Sequence, residues 1–204
     1  MKNLKTLLLT CGAIFSAHVH SQSIGAVAQA GFYTANYTNP NGQIKDVSGK
    51  GHLLLGATYE VLLDKKGQLS IPLVLNYTRF GTEQVITESQ SMTQKAIALN
   101  IGAGGKYFFS GDEYTLRPFL SALVSYEAFV NSSYDFGGTQ MGQLDWRSNA
   151  YLNLQAGIGI ETGLNLRMDI YATHNLGLLN RINTVDYGIY KDQITGLGIN
   201  FIFN

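Results

Sequence analysis

Six charged residues could do proton chemistry in this 204-residue chain: Glu60, Lys106, Arg117, Glu161, Arg167 and Asp169, three acids and three bases set among long uncharged runs. Such groups either relay protons or neutralise one another, and nothing in their spacing singles out one carboxylate as a base, so mutual neutralisation is the expected role. Of the four histidines, His18 and His20 lie near the N-terminus, which leaves His52 and His174, too few and too isolated for a dedicated metal cluster. The run Gly102-Ala103-Gly104-Gly105-Lys106 has neither the spacing of a phosphate-binding loop nor a helix after it. Its glycines are expected to make room for bulky neighbours. No catalytic, cofactor or metal site is therefore expected.

These residues sit in segments of strict alternation. In 150–160, Ala150, Leu152, Leu154, Ala156, Ile158 and Ile160 fall on one face, and Tyr151, Asn153, Gln155, Gly157 and Gly159 on the other. Period two over such a length predicts a tilted strand long enough to cross a bilayer. The same split can be drawn eight times, over 24–37, 52–63, 69–81, 94–109, 115–130, 147–161, 165–173 and 193–203. Three connections are short and turn-forming: 64–67, 110–113 and 162–164. The other four, 38–51, 82–93, 131–146 and 174–192, are long and polar. Short turns on one rim and long loops on the other predict an all-β fold: an eight-stranded antiparallel up-and-down transmembrane barrel. The six charges share the inward parity, near the short-turn end. An eight-stranded barrel is just wide enough for side chains to fill it, so a salt-bridged plug and no substantial conductance are expected.

A soluble barrel would alternate with its apolar face inward. Here the polar face is Gly, Asn, Gln, Ser, Thr and Tyr rather than scattered Lys and Glu. Tyr77, Tyr107, Phe109, Tyr126, Phe201 and Phe203 end the apolar stripes, where interfacial girdles belong. Only 14% of the residues are charged, below a soluble surface. The N-terminus has Lys2 and Lys5, then an apolar run from Leu7 to Phe15, then small residues, the pattern of a secretory signal peptide too short to span a membrane. The expected division is residues 1–21 as signal peptide and 22–204 as the barrel domain. Cys11 falls in the leader, so no disulfide or thiol chemistry is expected beyond it. Loss of Lys2 and Lys5 takes the net charge from +0 to about −2, which gives no sign of a nucleic-acid partner.

The segments LSIPLVLNY, KYFFSGDEYTLRPFLSALVSYE, NLGLLNRIN and ITGLGINFIFN resemble the outer-membrane β-barrel proteins of Bacteroidota often called PorT-like, OmpA-type eight-stranded barrels of Gram-negative envelopes. Asn204 follows the aromatic Phe203 that usually closes such chains. The resemblance implies an integral outer-membrane protein whose role is structural or loop-mediated, secretion being one version. Its partners would be outer-membrane lipid and lipopolysaccharide, with an envelope protein possible through 174–192, where Leu176, Leu178, Leu179 and Ile182 are more apolar than a solvated loop needs. Two alternatives compete. His174 loosely resembles the histidine of the lipid A deacylases, but the position two residues on, a serine in that family, is Leu176. A carrier of small apolar molecules would draw on Pro72 and Pro118, which cannot donate ladder hydrogen bonds.

Overall fold

The structure, a computed structural model, describes residues 21–38, 44–87, 90–136, 139–142, 149–162, 165–179, 183–184 and 188–203. All but one residue of the expected leader lies outside that set. Ten strands occur in chain order: β1 (Ser21–Thr38), β2 (Ile44–Leu62), β3 (Leu69–Thr87), β4 (Gln90–Phe108), β5 (Leu116–Phe136), β6 (Thr139–Gly142), β7 (Asn149–Glu161), β8 (Leu166–Gly177), β9 (Asn183–Thr184) and β10 (Gly188–Phe203). The eight long ones pair antiparallel with their neighbours, and β1 pairs with β10 to close the barrel. The short β6 and β9 pair only with β5 and β10.

Following register partners once round from Ile24, through Tyr59, Leu73, Ala103, Val124, Leu152, Leu176 and Gln193, returns to β1 at Thr34, a stagger of ten residues. With about 3.3 Å per residue and about 4.7 Å between strands, that stagger gives a strand tilt of about 41° and a backbone radius of about 8 Å. A tube of that radius has no room for a pore once its inner side chains are in place.

The alternation resolves into two environments. Ile24, Phe32, Leu75, Ile101, Leu116, Leu120, Val124 and Leu197 point outward and are exposed, while Gln29, Thr58, Ser121, Ser125 and Asn76 point inward and are buried. An apolar outside around a polar inside is stable only where the surroundings are hydrocarbon. Tyr77, Tyr107, Phe109, Tyr126, Phe201 and Phe203 are all on the exposed face. Val61 departs from its outward row and is buried, between its register partners Gln22 and Ile71.

The four long loops need correction. β3 runs ten residues past Tyr77 to Thr87, about 25 Å along the barrel axis above the girdle at about 2.5 Å of axial rise per residue, and β4, β5, β1 and β2 are extended likewise. Much of 38–51, 82–93 and 131–146 is therefore hairpin. The 174–192 segment begins within β8 and ends within β10, and 180–182 and 185–187 lie outside the described residues. Above the membrane both faces of a strand are wet, so the ladder continues while the hydrophobic period disappears. β7 and β8 stop much lower, at Asn149 and Gly177, so the described outer wall is tall on one side only.

Candidate functional site

The 64–67 turn ties the short-turn rim to the lumen. Gly67 adopts φ 63°, a left-handed conformation costly for residues with a side chain, and its N–H donates to the Asp64 carbonyl at 3.1 Å. The Asp64 carboxylate accepts from the Leu69 N–H at 2.7 Å. Arg117, rising from β5, donates through Nη2 to the Gly67 carbonyl and through Nη1 to Glu161 Oε1 at 3.0 Å.

Just above, four side chains from three strands form a closed ionic quartet. Arg167 Nη2 donates to Glu60 Oε2 at 2.5 Å and Arg167 Nε to Asp169 Oδ1 at 2.9 Å. Lys106 reaches Asp169 and, at 3.5 Å, Glu60. Ser70 donates to the other Glu60 oxygen at 2.7 Å. All four charged side chains are at least 95% buried, and they sum to zero charge. Phe108 is the shared wall: Arg117 stands over its ring at 4.1 Å and Arg167 at 4.8 Å, while Lys106 lies 4.3 Å from the Phe119 centroid. The sequence-selected six thus separate into a fully buried quartet and an Arg117–Glu161 pair nearer the rim.

Over the quartet lies a small polar cavity of about 50 Å³, lined by Gln29, Asn76, Asn153, Gln155, Asn175 and Asn200 among others. That holds a few water molecules at about 10–15 Å³ each and no larger solute. Asn100 and Asn153 both donate to Ser125 Oγ, at 3.1 and 2.9 Å, and so brace its upper wall. Tyr171 is flanked by its register partners Gly157 and Gly198, and its ring lies over Gly198, whose missing side chain leaves the space for it. Gly102 and Gly104 similarly yield to Ser125 and Leu123, whereas Gly105 faces outward into open space.

A second buried cluster lies toward the outer end, where the alternation alone does not place Asp192. Tyr151 OH lies 2.5 Å from Asp192 Oδ2 and 3.4 Å from Glu127 Oε1, and Asn149 Nδ2 donates to Asp192 Oδ1 at 2.8 Å. Tyr33 stacks on Phe80 at 4.9 Å beside them. Asp192 shares the inward parity of Ile194, so extending the last strand by one residue places it there. Arg147, whose inward parity in the 147–161 segment makes it the expected partner of Glu127, lies outside the described residues.

The remaining candidates scatter. His174 is on the lipid side of β8, level with the outer girdle, and its Nδ1 lies 2.8 Å from Thr195 Oγ1 on β10. His52 is buried inside. Pro72 is buried where the β3–β4 ladder skips Ile71 and Pro72, opposite Gly105 and Gly104. Pro118 leaves no gap, because its carbonyl accepts from Phe109 N–H at 2.9 Å and it pairs with Ile158. Among the described residues no group of three or more His, Cys, Asp or Glu side chains is placed to hold a metal ion.

A narrow closed barrel with an ionic core, an apolar exterior and short turns on one rim defines the eight-stranded outer-membrane type. The solved structure of Neisserial surface protein A has the same fold, with a TM-score of 0.50 at 18% identity over 89% of this chain and 98% of that one. Two others align with lower scores: Ail, the attachment invasion locus protein of Yersinia pestis, in complex with the heparin analogue sucrose octasulfate (TM-score 0.45, 15% identity, 90% of this chain and 99% of that one), and outer membrane protein AlkL in lipid bilayers (0.47, 11%, 92% of each). No family model matches the chain, and no curated protein matches its sequence.

Proposed function

We propose that this is an integral outer-membrane barrel without a catalytic site, acting as a structural element or through its outer rim on other components of the cell envelope. The observation that carries the reading is the filled lumen, with the ionic quartet below and the Asp192–Tyr151–Asn149 cluster above. A tube occupied by its own side chains leaves its rim as the surface on which a partner can act. The tall wall of β1 to β5 and the exposed Leu178 and Leu179, 54% and 50% accessible, provide that surface. The PorT-like resemblance supports an envelope role, secretion included. The test is co-purification from native membranes with the Leu178→Ser/Leu179→Ser variant. Loss of a partner with the folded barrel retained supports the reading, and an unchanged set of partners counts against it.

A lipid-modifying enzyme is the second reading, supported by the hydroxyl of Thr195 beside His174 at a depth that ester-bearing lipid reaches. It requires the His174→Ala variant to change the mass spectrum of lipid A in the producing cells; an unchanged spectrum removes it.

A further inference from the structure

The outer face carries an open apolar groove of about 580 Å³ running diagonally from β1 to β7, within the size range of small-molecule sites. Its floor is low where Ala57, Ala103 and Ala150 lie among Leu75, Ile101 and Tyr126 on two outward register rows. Above its middle, on the same outward parity, β3 continues from Leu75 through Tyr77 to Arg79, about 10 Å higher along the barrel axis. Arg79 is exposed, and among the described residues it has no ion-pair partner. Its register partner is Ile97, so Lys95 is its diagonal neighbour on β4, a position within reach of long side chains. Lys95 lies 3.4 Å from Asp135 Oδ2, yet its side chain stays 56% exposed. The group therefore keeps an excess of one positive charge just above the apolar belt, and a guanidinium favours two-point contact with phosphate oxygens.

We propose that this groove, with Arg79 and Lys95 above its middle, holds a phosphorylated glycolipid of the outer leaflet, an acyl chain in the groove and a phosphate between the two cations. The cations lie on the long-hairpin side of the barrel, the side that faces the outer, glycolipid leaflet when the short turns are periplasmic. Charge and apolar volume thus meet at the depth where such a lipid joins its headgroup to its chains. The inference rests on the outer-membrane reading, which is checked separately by the gel shift of the folded barrel.

Native mass spectrometry of the intact barrel in detergent, loaded with bis-phosphorylated lipid A, dephosphorylated lipid A or phosphatidylglycerol, tests it. The wild-type protein is expected to retain bis-phosphorylated lipid A and to lose the other two. Arg79→Ala/Lys95→Ala lowers retention about tenfold or more, as loss of charge-assisted contacts implies, and Ala103→Trp lowers it by filling the groove. Equal retention by wild type and both variants, all showing the folded-barrel gel shift, overturns the site; phosphatidylglycerol held as well as lipid A overturns the glycolipid assignment.

Discussion

Replacing Arg167 with methionine isolates the energetics of the lumen. The guanidinium donates to Glu60 at 2.5 Å and to Asp169 at 2.9 and 3.4 Å. Without it, Lys106 alone must balance two carboxylates, and the quartet passes from neutral to one net negative charge. Three charge-assisted hydrogen bonds at about 1.5–3 kcal/mol each overstate the loss, because they share acceptors and are not additive. The cost of breaking a buried pair, about 3–5 kcal/mol, is the better figure. Against a total stability of about 5–15 kcal/mol this leaves a folded but clearly weakened barrel. The same reasoning makes the opposite forecast for removing the whole set: Glu60→Leu, Lys106→Met, Arg167→Met and Asp169→Leu together should be neutral or stabilising by about 1–4 kcal/mol, since no uncompensated charge remains. Urea titration in lipid vesicles, with the folded fraction read from unboiled gel bands, measures both. A single-variant loss below about 1 kcal/mol, or a fourfold variant weaker than the single one, would refute the account of the quartet as an interdependent buried network.

Protein from purified outer membranes should migrate faster before boiling than after it; a soluble, unshifted protein would mean the faces are inverted. Reconstituted in planar bilayers, the wild-type barrel should give no stable single-channel openings, and regular openings would end the closed-lumen account. Leu73→Arg, mid-belt on the exposed face, should cost about 2–4 kcal/mol in the same urea assay, whereas a loss near zero would place Leu73 away from hydrocarbon. Gly198→Val drives a side chain into the Tyr171 ring and should cost about 1–3 kcal/mol, a penalty that Tyr171→Ala in the same chain should relieve in part.

What the sequence made legible follows from where one face of a strand is dry. Between Ile24 and Phe32, or Leu116 and Tyr126, hydrocarbon outside and a packed lumen inside impose the two-residue period, so strand position and facing could be read directly. The inward parity of Glu60, Lys106, Arg167 and Asp169 was readable for the same reason, although which base meets which acid depends on stagger and tilt. Beyond the girdle the pattern fades, which is why the alternation marks strands shorter than the real ones and leaves Asp192 in a loop. The His174–Thr195 contact joins register partners of the β8–β10 ladder, whose alignment cannot be read across the long 174–192 connection.

Closure itself has a kinetic consequence. The seam pairs Ile24 with Phe203, so the first strand of the barrel finds its second neighbour only when the last strand has been made. Until then two long edges present unpaired backbone groups, and the contacts that retire them span nearly the whole chain, the slowest kind to form and the most exposed to mispairing. An assembly route for this protein must therefore shelter both edges at once, holding β1 open for β10 while the belt between them enters the membrane.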